Sequence, residues 1–477
     1  MSVELFDFQH KPPHLETSFE LVHRHLAQQD SVTYRFLGHD LPNRTFMAPV
    51  TGSALAGSAL PERRAARLTR GAGFTFVPRT RLRLPPLPFA LPESLDELMS
   101  LRYRSFDVGM AIASSLITWT GDSRLDPKRH RDAVRSTLRG AMAVFDHVTD
   151  LLRARRPDLV YVFNGRFAYE RAVVRGCQAV DVPVLIHERG STQERFFLAP
   201  FTPHDRKRVQ AEMRRRWAEV RDDEAEVEQA VAWFRERRDG VPRDWPSFTA
   251  VQARSRLPAL DPGRRLIAYF GSSDDEFVAI GDDFRWEGWR GQFEAVHALL
   301  RAARSIPDTQ LVIRVHPHVT TKHSNERGRW MALASGDARV RVIAPESEVD
   351  TYALIDAADV VVTSGSTVGM EAVYWGRPSV LLGPSDYDLL GAVHPAHDEK
   401  TLGTLLTTRS LTVDPSTALE YGYYRATYGE PFQVYVPSEF SHGTFAGVRL
   451  RPRVWRTLAS LRNEALERYP WLGPRGR

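Results

Sequence analysis

Residues 310–320, QLVIRVHPHVT, and 349–383, VDTYALIDAADVVVTSGSTVGMEAVYWGRPSVLLG, decide the fold. Short β-branched runs bounded by polar loops alternate with segments of helical period, so the two stretches read as strand, loop, helix, strand, serine-rich loop, helix, strand. The loop Thr363-Ser364-Gly365-Ser366-Thr367 is predicted to join an apolar strand to a helix that starts near Thr367. The first N–H groups of a helix lack intrahelical partners and lie at the positive end of its dipole, so such a junction attracts an anion. Ser364, Ser366 and Thr367 are expected to add hydroxyl donors, while Gly365 and Gly369 let a ligand approach the backbone. One turn on, Glu371 is expected to accept hydrogen bonds from two ribose hydroxyls. Upstream, His316 and Pro317 end a strand whose carboxyl end is predicted to open on the same crevice, where ligands of open α/β sheets bind. Taken singly, these are ordinary caps and strand ends. Taken in this order, they predict a site for the phosphate of a nucleotide sugar.

The series RVHPH, SGST and Glu371 resembles the nucleotide-sugar half of GT-B glycosyltransferases, above all the HP-motif transferases of capsule and surface polysaccharide synthesis. The resemblance covers roughly 265–400 well and extends loosely to 160–195 and 270–295. It implies that His316 and the loop residues Ser364, Ser366 and Thr367 contact the donor phosphate and that Glu371 contacts the ribose. Arg314, Pro317 and Gly365 fall in the same donor-binding stretches. Some relatives with this motif use CMP-activated acidic sugars such as Kdo, and similar loops serve UDP and GDP donors, so the donor stays open among the three. Such enzymes generally stabilise the leaving phosphate with helix dipoles and side chains, which implies no cofactor and no metal.

A chain of 477 residues suits two α/β domains. Its hydrophobic content of 42% marks it as globular. The net charge is +5, but 64 basic residues are interspersed with 59 acidic ones, which argues against a nucleic-acid partner. One thiol, Cys177, makes neither an internal disulfide nor a zinc site, and its setting reads as a packed helix position. The opening MSVELFDFQHKPPHLE has no basic region followed by an apolar core, and no stretch reaches bilayer-spanning length. The expectation is a cytoplasmic protein, with peripheral contact at the inner face of the membrane left open.

Working outward, three regions are predicted. Residues 1–255 are expected to form an acceptor-side Rossmann-like domain with a helical insertion, 256–405 the nucleotide-sugar domain, and 406–477 an extension ending in a helix that returns to the first domain. The fold class expected is therefore GT-B-like α/β, two Rossmann-like domains facing a central cleft. In the first domain the helix 16–29 and strand 31–38 come first, 41–78 shows no periodicity, and 204–245 reads as solvated helices. A βαβ unit spans 158–192, with strand tips at Asn164-Gly165-Arg166 and His187-Glu188-Arg189. Asn164, Arg166 and Arg189 are expected to hold the acceptor, and Glu188 is the carboxylate best placed for general-base work there.

In the second domain the strand 264–270 ends in Gly271-Ser272-Ser273-Asp274-Asp275-Glu276, where Ser272 and Ser273 are candidate phosphate contacts and Glu276 an alternative base. His316 completes the catalytic set by stabilising the leaving group. Asp386-Tyr387-Asp388 and Asp282-Asp283 imitate acidic metal motifs but are discounted, and His316, His318 and His323 have no matching Cys or carboxylate cluster. The function expected is transfer of a sugar from a nucleotide-sugar donor to a glycan or glycolipid acceptor. The alternatives are a UDP-sugar 2-epimerase on the same fold and a non-catalytic nucleotide-sugar-binding protein.

Overall fold

The computed structural model describes residues 1–8, 13–38, 41, 59–69, 71–243, 247–321, 326–334, 336–439 and 442–450. The chain divides into two compact units, Met1–Thr120 with Arg124–Thr202 and Gly429–Arg477, and Pro203–Tyr428 with Gly121–Ser123. Each is a Rossmann-like α/β unit built on a mostly parallel sheet.

In the first unit the strands are β1 (Ser2–Asp7), β2 (Ser31–Phe36), β3 (Phe74–Val77), β4 (Leu159–Phe163), β5 (Val184–Arg189) and β6 (Arg195–Ala199). The helices are α1 (His14–Ala27), α2 (Leu60–Leu68), α3 (Leu95–Ser100), α4 (Val108–Thr120), α5 (Arg131–Arg155) and α6 (Ala168–Ala179). The sheet order is β3-β2-β1-β4-β5-β6, parallel except for the antiparallel β5–β6 pair. Strand order reverses between β1 and β4, the switch point at which such sheets bind ligands. The central strand β1 was not anticipated, because SVELFD is short and precedes the first clear periodicity. Its burial is nearly complete, since a central parallel strand is covered on both faces. Cys177 is buried in α6, as its setting predicts.

The second unit begins with α7 (Arg206–Val220) and α8 (Glu224–Asp239). Its sheet then follows as β7 (Arg265–Phe270), β8 (Thr309–Arg314), β9 (Val340–Ile343), β10 (Val360–Thr363), β11 (Ser379–Leu381) and β12 (His394–Pro395). Between and after these come α9 (Asp274–Phe277), α10 (Gln292–Ser305), α11 (Glu326–Met331), α12 (Thr351–Ala357), α13 (Val368–Tyr374), α14 (Glu399–Thr407) and α15 (Leu419–Thr427). The order β12-β11-β10-β7-β8-β9 repeats the topology of the first sheet, with the reversal between β7 and β10. One core on this sheet gathers Ile267, Leu299, Ile313, Val362 and the fully buried Trp330.

Two boundaries differ from expectation, the one expected at 255/256 and the one expected at 405/406, which falls at 428/429. The break falls at 202/203 and not at 255/256, because α7 and α8 pack within the second unit. The Phe234 ring of α8 stacks on Tyr374 of α13 at 4.1 Å and 5°. Gly422 of α15 meets α8 so closely that a Cβ there would lie 2.4 Å from Phe234 and 2.8 Å from the Ala230 carbonyl. The aromatic segment 420–436, EYGYYRATYGEPFQVYV, reads as irregular from the sequence, yet its first part is helical in α15, where Tyr421 packs edge-on against Trp233 of α8 with the ring centroids 5.6 Å apart.

After Tyr428 the chain rejoins the first unit through β13 (Glu430–Pro431), which pairs with β6, and through the hairpin β14 (Tyr435–Glu439) and β15 (His442–Phe445). Both oxygens of the buried Glu20 carboxylate hold this return, accepting from the Gln433 N–H at 2.7 Å and the Val434 N–H at 2.9 Å. The helix expected over 451–469 lies outside the described residues. Among the described residues, no helix is long and apolar enough to cross a membrane.

Candidate functional site

In the second unit the register aligns Thr363 with Phe270 and Phe270 with Arg314, so β10, β7 and β8 end level with one another. The loops that follow, Ser364–Thr367, Gly271–Ser273 and Val315–Pro317, therefore leave the same edge of the sheet. The sheet thus places the serine loop and His316 on one side, one strand apart.

At the serine loop, Gly365 has φ +109°. A Cβ there would lie 2.6 Å from the Pro384 carbonyl, so glycine is required twice over. Among the described residues, no partner is found for the N–H groups of Gly365, Ser366 and Thr367. Ser366 is half-buried, and its hydroxyl oxygen accepts only a long bond, 3.4 Å, from the Val368 N–H. The Tyr387 hydroxyl donates to the Ser366 carbonyl at 2.6 Å and pins the loop from below. The helix that follows has only seven residues, so the local N–H groups matter more than its dipole.

His316 is half-buried, and its Nδ1 accepts from the His318 N–H at 3.2 Å, which leaves Nε2 to carry the ring proton. Phe248 packs edge-on against it, with the ring centroids 5.6 Å apart. Pro317 begins a short 3-10 turn.

Several expected donor contacts are placed otherwise. Glu371 does not reach for a ribose: it is 1% exposed, with Oε1 taken by Arg237 at 3.1 Å and by Thr367 Oγ1 at 2.8 Å, and Oε2 taken by the Tyr352 hydroxyl. The Thr367 hydroxyl is thereby committed inward, and Glu371 holds the Arg237 guanidinium firmly charged. Arg314 also turns away from the sheet edge, donating to the Ala344 carbonyl at 2.8 Å and the Ser347 carbonyl at 2.9 Å. Burial lowers its pKa to about 10, and its work is to tie β8 to the turn after β9. Ser364 is buried, with its hydroxyl 2.8 Å from that of Tyr269. Ser273 donates to Asp275 at 2.8 Å. Among the described residues, the buried Ser272 hydroxyl finds no partner. The side chain of Glu276 lies outside the described residues.

Asp388 pairs with Arg206 and accepts from Gln210 at 2.9 Å, and Asp386 faces Arg425 at 3.9 Å. Among the described residues, no group of three or more His, Cys, Asp or Glu is arranged to hold a metal ion.

The first unit presents a different chemistry at its own switch point. Asn164 adopts φ +52° at the end of β4, where its Oδ1 accepts from the Arg166 N–H at 3.2 Å and its Nδ2 donates to Glu188 Oε2 at 2.6 Å. Glu188 Oε1 accepts from the Arg189 N–H at 3.0 Å and lies 3.4 Å from His14 Nε2. Burial raises the pKa of the Glu188 carboxyl, with the Asn164 hydrogen bond opposing, yet 19% of its side chain is open to solvent. A carboxylate whose proton affinity is raised and that solvent still reaches is suited to accept a proton. Asn164 and Arg166, expected to hold an acceptor, are largely committed: Asn164 orients Glu188, and Arg166 donates to Thr118 at 3.0 Å and stacks over Phe167. Arg189 stays half-buried beside Glu188.

His14, which reaches Glu188 from the first turn of α1 across more than 170 residues, carries no signal in the sequence. Arg237, Tyr269, Gln292 and Tyr387 were missed likewise, since each serves the serine loop or its neighbour from a remote segment.

Residues 266–402 match the family model for capsule polysaccharide biosynthesis proteins. The matched span starts in β7 and takes in all three loops at the switch point. No curated protein matches the chain. Among solved structures, the KpsC beta Kdo 2,4 transferase of Thermosulfurimonas dismutans is 15% identical over 57% of this chain and 80% of its own, with a TM-score of 0.38. The KpsC beta Kdo 2,7 transferase of the same organism is 14% identical over 67% and 89%, with a TM-score of 0.36. The UDP-GlcNAc 2-epimerase of Neisseria meningitidis is 11% identical over 98% and 100%, with a TM-score of 0.26. Likenesses this distant carry no argument about activity.

Proposed function

We propose that the chain transfers a sugar from a CMP-, UDP- or GDP-linked donor to a glycan or glycolipid acceptor in capsular or surface polysaccharide synthesis. The observation that carries this reading is the family match over the very segment whose three loops share the switch-point edge. In the second unit the N–H groups of residues 365–367 and the Ser366 hydroxyl supply donors for a phosphate, with His316 on the same sheet edge as a further contact. As the bond from the anomeric carbon to the phosphate oxygen breaks, negative charge grows on that phosphate, and donors fixed in advance lower the barrier. In the first unit Glu188, held in orientation by Asn164 and His14, is the candidate base for an acceptor hydroxyl. The donor site uses no metal or other cofactor in this reading, and the protein works in the cytoplasm, with its acceptor reached at the inner face of the membrane.

Turnover with a panel of CMP-, UDP- and GDP-sugars and glycan acceptors is the test. One donor class is expected to be consumed, and the double variant His316→Ala, Ser366→Ala is expected to lose at least a hundredfold in kcat/KM. Full activity in that variant overturns the assignment. Solvent proton exchange into the donor sugar with no acceptor present would point to an epimerase instead.

A further inference from the structure

Gln292, the first residue of α10, is 1% exposed and uses the whole bonding capacity of its amide. Its Oε1 accepts from the Ser272 N–H at 2.7 Å and from the Tyr269 hydroxyl at 2.9 Å. Its Nε2 donates to the Ser272 carbonyl at 3.1 Å and to Asp274 Oδ1 at 2.6 Å. The orientation is not arbitrary: a flipped amide would set N–H against the Ser272 N–H and oxygen against both the Ser272 carbonyl and the Asp274 carboxylate.

This orientation fixes the direction of every proton in the chain that leads to the serine loop. The Tyr269 hydroxyl has one proton and gives it to Gln292. Its 2.8 Å contact with Ser364 is therefore a bond in which Ser364 donates and Tyr269 accepts. Burial drives the Tyr269 pKa well above its ordinary value, so the hydroxyl keeps that proton. The Ser364 proton is thus spent inward.

We propose that Gln292 is a positioning residue that, through Tyr269, turns the Ser364 hydroxyl inward and holds the Gly271–Ser273 loop in register with the serine loop. The ligand's phosphate is then left with Ser366 and the amides of 365–367 as its donors from β10. The role in ligand binding rests on the nucleotide-sugar reading of the same site, whereas the coupling of the two loops does not.

Amide hydrogen exchange on the ligand-free protein tests the coupling. In Gln292→Leu, exchange is expected to quicken at least tenfold in 271–274 and also at Thr363, the last ladder amide before the serine loop, to which Gln292 makes no direct bond. Quickening confined to 271–274 overturns the relay. Tyr269→Phe keeps the bonds between Gln292 and Ser272 and removes the hydroxyl that links Gln292 to Ser364, so quickening is expected at Thr363 alone; unchanged exchange at Thr363 overturns the proposal even if Gln292→Leu fails to fold. Gln292→Glu supplies a readout that packing alone would not move. Its carboxyl donates only when protonated, so exchange corrected for intrinsic rates is expected to be fast at pH 8 and to return toward wild type at pH 5.5, and equal rates at both overturn the relay.

Calorimetric titration with CMP, UDP and GDP tests the ligand side, with a loss of affinity of tenfold or more expected in Gln292→Leu. Wild-type protein that binds none of the three overturns the nucleotide-sugar reading, while the exchange data still decide the coupling.

Discussion

The two sheets share a strand order yet bring opposite chemistry to their strand ends. The edge between β7 and β10 carries backbone amides, hydroxyls and a histidine, with its nearby charges tied off inside the fold. The first sheet instead brings Glu188, at the end of β5, within 3.4 Å of His14 of α1, and the same unit buries Asp7 and Glu170. The contrast teaches that topology fixes where a ligand meets the sheet, and that the first few residues after each strand decide what can happen there. Neutral donors suit an anion held in place. Perturbed carboxyls suit proton transfer.

Glu188→Gln strikes the contrast hardest. It keeps the Asn164 contact and removes the basic oxygen, so kcat is expected to fall by roughly two to four powers of ten. Nucleotide affinity, measured by calorimetry, is expected to stay within about twofold, because the donor loops belong to the other sheet. Since the folded Glu188 pKa is raised, wild-type activity should fall as the pH drops through that pKa, and the acid limb should vanish in the variant. Equal losses of affinity and turnover would erase the division of labour.

Phe234→Ala tests whether residues 203–255 belong with the donor sheet. Removing a buried ring that stacks on Tyr374 at 4.1 Å is expected to destabilise the second unit by about 3–5 kcal/mol. Denaturant unfolding followed by exchange should show amides of β7–β11 opening early while those of β1–β5 hold. A uniform loss across both sheets would argue against the boundary at 202/203.

Glu170 sharpens the acidic character of the first unit. Burial, with the nearby Asp7 charge adding to it, raises its pKa to about 8 from an ordinary 4.5. The folded state thus binds the proton more tightly than the unfolded state does. The stability tied to that proton is complete below pH 4.5 and is lost as pH rises toward 8, with a slope of at most about 1.4 kcal/mol per pH unit. Urea melts from pH 5 to pH 8 should show the decline in wild type and a flatter profile in Glu170→Gln. Parallel profiles would remove Glu170 from the account.

Much of the fold of the second unit was legible because each of its signals is local. A β-branched run, a serine loop with glycine and a following helix lie within twenty residues, and the register then brings His316 to the same edge. What stayed hidden was long-range. Glu371 looked available to a ribose because Arg237 and Tyr352, which close it off, come from distant segments. Arg314 looked like an anion contact, but strand alternation and the turn after β9 claim its guanidinium. β1 was missed because six residues without a flanking pattern carry little periodic signal, although it is the central strand. Residues 420–427 looked irregular because the helix depends on a partner, α8, that periodicity within the segment does not announce.

The smallest effect on stability, and the most selective on function, is expected at Gly365→Ala. The position sits at φ +109°, where an L side chain is strained, and the added Cβ would meet the Pro384 carbonyl at 2.6 Å. Strain of this kind costs on the order of 1–3 kcal/mol. The loop can relieve it only by moving, because the contact is with backbone and not with a flexible side chain. Any such movement shifts the amides of 365–367 away from the place where a phosphate would sit, so nucleotide affinity should drop by tenfold or more while the pH dependence that comes from Glu188 is unchanged. Affinity can be read by calorimetry and stability by urea melts on the same preparation. If affinity survives while stability falls, the amides do not hold the ligand, and the neutral edge loses its claim to be the donor site. If affinity falls and the acid limb shifts as well, the two edges are not chemically separate, and the contrast between them fails.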